Sequence, residues 1–315
     1  MTNPINSSTP WLTGFIADLP TPFDANDRID WGSFEMLCEQ QIRSGARAVL
    51  VAETMGEAST LTLTEHDALI GAAVAISCGR VAVIAGAGSN STSQAIDLTR
   101  RAEANGADAV MSVVPYYNKP MQSGIVAHFS AIASATALPI VLHDAPGRTA
   151  RELSDETMQR LADIPRFAGA KDATGDIARL VRLRSKLPPD FHLLTGDDST
   201  AGAYLAAGGD GCVSILSNIA PDLCRSIYQY CRQADLVSSR TLAAHLAPLG
   251  QAVLPDATPA ALKYALCLLG LATPWVRLPL VELDQSAKMA VAKAVAGVFL
   301  SYRGYGGEHR DLIAV

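Results

Sequence analysis

From Gly14 onward, short apolar runs alternate with longer stretches that are apolar on one face only. Gly14-Phe15-Ile16-Ala17-Asp18-Leu19 reads as a strand, and Pro20-Thr21-Pro22 stops it. Residues 31–44 place Phe34, Leu37, Cys38 and Ile42 at helical spacing. Residues 46–52 then form a near-continuous apolar run, as expected of a strand buried on both faces. The alternation continues with strands at 80–86, 107–115, 139–143, 167–171, 191–196 and 211–216. The helices between them fall at 91–105, 121–136, 154–163, 175–186 and 199–207. Capping residues support three helix starts: Thr64 before Glu65, Ser154 before Asp155, and Thr258 before Pro259.

Eight strand–helix units of roughly 25–30 residues predict a closed (β/α)₈ TIM barrel, because open doubly wound sheets seldom run to eight regular units. After residue 220 the pattern turns wholly helical, at about 221–235, 238–250, 258–270 and 286–300. The expected organisation is a leader (1–11), a barrel (12–220), a C-terminal helical extension (221–300) and a tail (301–315).

Composition narrows the function. The chain has 315 residues, net charge −6 and no stripe of basic and aromatic residues, so nucleic acid is not an expected partner. No apolar run reaches the ~18 residues that span a bilayer, and the N-terminus has no apolar signal core, so no membrane partner is expected. The six cysteines are scattered without a C-x-x-C pair, which reads as reduced core thiols in the cytoplasm.

In such a barrel, chemistry sits at the C-terminal ends of the strands. Those ends carry Glu53-Thr54-Met55-Gly56-Glu57, Pro115-Tyr116-Tyr117-Asn118, His143 with Pro146-Gly147-Arg148-Thr149, Lys171, Gly196-Asp197-Asp198, and Leu216-Ser217-Asn218. Lys171 ends the small apolar strand Phe167-Ala168-Gly169-Ala170. Burial disfavours an ammonium, so this amine is expected to shed its proton and act as a nucleophile toward a ketone, forming a Schiff base. The bland alternative is a lysine that snorkels to water. A hydroxyl or imidazole from Thr54, Tyr117 or His143 can move the protons. Backbone N–H groups at Thr54-Met55-Gly56, leading into a helix, can hold a carboxylate, and Arg148 can grip a second one. Each also has an ordinary reading: interface aromatics, a core histidine, a surface ion pair, a loop hydroxyl. Glu57 fits a helix-dipole role, and Asp197 and Asp198 fit helix caps.

Other signals fail. Gly86-Ala87-Gly88 lacks the third glycine of a dinucleotide fingerprint. The histidines have no metal-ligand spacing, so no metal is expected. No G-x-S-x-G elbow is present.

Five segments occur in order: Thr-x-Gly-Glu at 54–57, Pro115-Tyr116-Tyr117-Asn118, Pro146-Gly147-Arg148-Thr149, Gly-x-Lys-Asp-Ala-Thr-Gly at 169–175, and Gly196-Asp197-Asp198. Together they resemble the dihydrodipicolinate synthase / N-acetylneuraminate lyase family, over about residues 12–300. The resemblance implies a homotetramer built from tight dimers and a pyruvate imine on Lys171, with no further cofactor. It implies that Tyr117 reaches a neighbour's site, that Thr54 links two hydroxyls in a proton relay, and that Met55, Gly56 and Val213 line the substrate pocket. Arg148 favours the synthase branch, in which that arginine meets the carboxylate of aspartate semialdehyde. The implied reaction condenses pyruvate with L-aspartate 4-semialdehyde in lysine and diaminopimelate biosynthesis. Two positions depart from the family pattern. Met55 stands where a second Thr or Ser is usual, and His143 stands where the catalytic tyrosine is usual. They motivate a second reading, a lyase, dehydratase or hydratase-aldolase for another 2-keto acid such as a 2-keto-3-deoxy sugar acid. A third is a non-catalytic pyruvate-binding barrel.

Overall fold

The structure, a computed structural model, describes residues 9–255 and 258–302. Most of the expected leader and nearly all of the expected tail lie outside those residues. Eight strands form one closed, all-parallel barrel in chain order: β1 (Gly14–Asp18), β2 (Ala48–Val51), β3 (Ala82–Gly86), β4 (Ala109–Val113), β5 (Ile140–Asp144), β6 (Phe167–Asp172), β7 (His192–Thr195) and β8 (Gly211–Ser214). β1 pairs with both β2 and β8, so the sheet has no edge.

Alternation along the strands divides the apolar residues in two. One set, including Ile16, Leu50, Ile84, Met111, Val141, Leu194 and Val213, fills the barrel interior, and Leu12 plugs it beside Trp11. The other set, including Phe15, Val49, Val83, Val110, Leu142 and Leu193, packs outward against the helices. Each fully buried side chain of this size contributes ~1.5–3 kcal/mol. That apolar interior is the platform on which a costly charged layer can rest.

The helix after β2, Leu63–Ser77, starts two residues earlier than a Thr64 cap would place it. Thr62 is its cap, and Thr62 and Glu65 form a reciprocal capping box. Ser154 caps Asp155–Ala162 as expected. Helix Pro221–Arg232 lies beyond the expected barrel boundary at residue 220, yet it buries Leu223, Cys224 and Ile227 and packs against β1, closing the outer helical ring. Helices Leu236–Val253, Thr258–Leu268 and Gln285–Tyr302 follow and pack on one another. All six cysteines are unpaired, and Cys78 is exposed rather than in the core.

Candidate active site

The period of two that buries Ile16 and Val141 also aims Asp18 and His143 inward, one layer higher, at the C-terminal ends of β1 and β5. Lys171 pairs in register with His143 across β5 and β6, so the two share a face. Glu53 enters from the loop after β2, where Ala52 takes a left-handed conformation with φ 52°. Directly behind, Arg179 Nη1 bridges Asp144 at 2.8 Å and Asp172 at 3.3 Å, the residues that follow His143 and Lys171. One guanidinium thus ties together the strand ends that carry the imidazole and the amine.

Four ionisable side chains meet in this layer, and all are buried: Asp18, Glu53, His143 and Lys171. Lys171 Nζ donates to Asp18 Oδ2 at 3.0 Å and lies 3.8 Å from Glu53 Oε2. The other Glu53 oxygen, Oε1, is 2.8 Å from His143 Nδ1, and Oε2 also accepts the Thr54 N–H. Asp18 Oδ1 is buried and has no hydrogen-bond partner among the described residues. The cluster opens into a cavity of about 190 Å3 whose walls include Thr54, Met55, Arg148, Gly196, Leu254 and Thr258. Gly196 has to be a glycine here, because a Cβ would come within 2.9 Å of Lys171 Cε and press on the stem of the amine.

The charges decide the protonation states. Burial works against the Lys171 ammonium, but the Asp18 and Glu53 carboxylates outweigh it and raise its pKa above the ordinary 10.5. This overturns the expectation from burial alone that Lys171 rests as a free amine. Burial pushes Asp18 up to about 6, against the pull of Lys171. Burial also opposes ionisation of Glu53, yet His143 and Lys171 hold its carboxyl well below the usual range. Burial, and then the charge of Lys171, lower His143 against the opposing pull of Glu53. For the Glu53–His143 pair we take the carboxylate as ionised and the imidazole as neutral at pH 7, because the nearby ammonium favours both. Nδ1 then carries the proton and donates it to Glu53, which leaves Nε2 with a lone pair.

Lys171, His143, Thr54, Met55 and Arg148 are brought to one cavity. Three other predicted residues are not among its walls. Val213 lies in the apolar barrel interior. The Gly56 carbonyl accepts the Thr21 hydroxyl at 2.7 Å. Tyr117 is 90% exposed and points to no part of this cavity. The segment after β2 leads not into a helix but into the single turn Ala58–Thr60, and the Thr54 N–H is already taken by Glu53. Glu57 is no dipole partner. It is buried and ion-paired with Lys263, and it accepts the Arg277 N–H at 3.0 Å. Asp197 does bond to the Ser199 N–H and the Thr200 hydroxyl at the start of the next helix, whereas Asp198 instead accepts from Ser214 at the end of β8 and from the Ile215 and Leu216 N–H groups after it. Sequence reasoning missed Asp18 and Glu53. The available signal was an acid as the last residue of an apolar barrel strand, and another just past the next one.

Comparison with known proteins places this geometry among relatives. The model of the dihydrodipicolinate synthetase family matches residues 11–297. The 4-hydroxy-tetrahydrodipicolinate synthase of Hyphomonas neptunium is 45% identical over 286 residues, covering 90% of this chain and 97% of that protein. The enzyme of the same name from Gluconobacter oxydans is 40% identical over 294 residues, covering 93% and 99%. Among solved structures, the dihydrodipicolinate synthase of Acinetobacter baumannii complexed with pyruvate superposes with a TM-score of 0.89 at 38% identity, covering 91% of this chain and 99% of that one.

Proposed function

Because the chain belongs to the dihydrodipicolinate synthetase family, we propose that it is a class I aldolase that condenses pyruvate with L-aspartate 4-semialdehyde, as a 4-hydroxy-tetrahydrodipicolinate synthase. The observation that carries the reading is Lys171, buried at the foot of a cavity in a family member and flanked by groups able to take and return its proton. Lys171 forms the imine with pyruvate, and the iminium nitrogen draws in the electrons released at the adjacent methyl, so no cofactor is needed. His143 and Thr54 handle protons at the cavity wall. Arg148 stands at the cavity rim in the short helix Pro146–Thr149, where its guanidinium can take the aldehyde's carboxylate in bidentate fashion. Met55 borders the donor end of the cavity, Gly56 accepts the Thr21 hydroxyl outside its wall, and Val213 supports the barrel layer beneath. Tyr117, exposed on its own subunit, is suited to reach a partner's site in a homotetramer of tight dimers. The unpaired thiols support a cytoplasmic location. Among the described residues, no helix is long and apolar enough to cross a membrane.

The test is reductive trapping. Incubation with pyruvate and borohydride should leave a reduced pyruvate adduct on Lys171, located by peptide mass spectrometry, and an unmodified Lys171 defeats the reading. A coupled assay with aspartate semialdehyde then tests the second substrate. Met55 and His143 favour one other reading, a lyase or dehydratase for a 2-keto-3-deoxy sugar acid. Turnover of such an acid without condensation of aspartate semialdehyde would select it.

A further inference from the structure

We propose that Asp18, Glu53 and His143 are the proton relay of this site: Asp18 takes the proton that Lys171 must lose, and Glu53 holds His143 as the base that works on the imine. The inference rests on the reading that Lys171 forms an imine with pyruvate.

What sets this ion cluster apart is that its unspent polar atoms belong to residues of a cavity wall; Asp144 Oδ1, beside Arg179, is also without a partner among the described residues, but Asp144 is not part of that wall. In the neighbouring Glu57 cluster, Lys263 and the Arg277 N–H each hold one oxygen of the carboxylate. In the Lys171 cluster, Asp18 Oδ1 is buried without a partner, and His143 Nε2 makes no hydrogen bond among the described residues. Both side chains form the cavity wall. Glu53 sits between the two working groups, 2.8 Å from His143 Nδ1 and 3.8 Å from Lys171 Nζ, and the Thr54 N–H fixes its orientation. A carboxylate on the far nitrogen of an imidazole sets the tautomer and compensates the imidazolium when a proton is held.

The steps balance. Lys171 passes one proton to Asp18, 3.0 Å away. The freed amine attacks the ketone carbon; a C–N bond forms, the carbonyl π pair moves to oxygen, and that oxygen takes the proton from Asp18. His143 Nε2 removes a proton from the added nitrogen and delivers it to the new hydroxyl. The hydroxyl leaves as water with the C–O pair while the nitrogen lone pair closes C=N. One ammonium and one ketone have become one iminium and one water. His143 Nε2 next takes a proton from the methyl group; the C–H pair forms the enamine double bond, and the iminium π pair returns to nitrogen. When the enamine carbon bonds to the aldehyde carbon, nitrogen becomes iminium again and the aldehyde oxygen takes the proton from His143. Asp18 and His143 are therefore catalytic residues, and Glu53 is a positioning residue.

Two measurements without any aldehyde test this: borohydride trapping on Lys171, and deuterium uptake into the pyruvate methyl group in D2O by NMR. E53Q should trap pyruvate at concentrations within about threefold of wild type yet exchange the methyl protons ~100-fold more slowly, the scale of lost general-base catalysis. E53D, which keeps the charge, should recover at least about a tenth of the wild-type exchange rate. D18N should slow trapping ~100-fold without changing the pyruvate concentration that saturates it. Thermal unfolding establishes that each variant is folded, and D18N decides the matter if E53Q is not. E53Q exchange within threefold of wild type, equal losses in E53Q and E53D, or D18N trapping at the wild-type rate each overturn the relay. A wild-type protein that traps no pyruvate overturns the imine reading itself, so the two failures are distinguishable.

Discussion

Lys171 and Lys263 are the two buried lysines among the described residues, and each is paired with a glutamate or aspartate. Their surroundings differ in kind. Lys263 donates to Glu57 and to the Trp275 carbonyl at 2.9 Å, and its ammonium lies 4.1 Å from the centre of the Phe23 ring. All its donor directions are used, and Lys263 is not among the walls of the cavity beside Lys171. Burial, the largest influence, and the charge of Arg277 bring its pKa down to about 8 in spite of Glu57. Lys171 has one close acceptor, a second carboxylate slightly beyond hydrogen-bond reach, and an open cavity beside it. Two carboxylates raise its pKa. A depressed pKa alone would nominate Lys263 as the nucleophile. Access and unspent neighbours nominate Lys171. A nucleophilic lysine needs somewhere to send its proton and somewhere to receive a substrate; burial supplies neither.

This contrast can be broken experimentally. The largest expected effect is on turnover: Lys171→Met should lower kcat by ~10^4-fold or more, as loss of a covalent nucleophile does, while Lys263→Met leaves the kcat of the folded protein within about tenfold of wild type. Comparable losses in the two variants would remove the distinction. Next comes stability. Lys263→Met leaves the buried Glu57 carboxylate without its counter-ion and should cost ~3–5 kcal/mol in denaturant unfolding. A third effect is the pH dependence of stability. Lys263 titrates at about 8 when folded against an ordinary 10.5, so between these values the unfolded chain binds more protons and stability rises with pH. The rise amounts to about 3 kcal/mol across that window and should be absent in Lys263→Met. Lys171 has the opposite sign: its raised pKa stabilises the fold below 10.5, and that contribution is lost only as pH passes its folded value. Urea unfolding at pH 8 and pH 10 separates the two. The smallest effect belongs to Arg148 at the rim. Arg148→Ala should raise KM for the aldehyde about tenfold with little change in pyruvate trapping, the pattern of a lost charge-assisted contact to one substrate.

The barrel was legible because parallel strands buried on both faces write themselves as continuous apolar runs, and eight such runs at even spacing admit few arrangements. Lys171 and His143 were legible for the same reason, since a polar residue ending such a run stands out. Asp18 and Glu53 were not, although Asp18 ends a plain strand and Glu53 follows one. Their meaning comes from partners 153 and 90 residues away in the chain, and local periodicity carries no such information. For the same reason the free amine expected of Lys171 proved wrong: burial can be read from one strand, but the carboxylates that overrule it come from the end of β1 and the loop after β2. Glu57 misled in the opposite way. Its position ahead of a helix suggested a dipole partner, whereas its partners lie in the C-terminal helices.

The tie from Glu57 to Lys263 and Arg277 has a consequence for how the enzyme is made. Leu254 and Thr258 form part of the wall beside Lys171, and the loop that carries Glu53 and Thr54 is anchored through Glu57 to residues 263 and 277. During synthesis, Lys171 leaves the ribosome long before these residues do. The nascent chain therefore holds the amine without its finished chamber. The site can close only once the segment that carries Leu254, Thr258, Lys263 and Arg277 has been delivered.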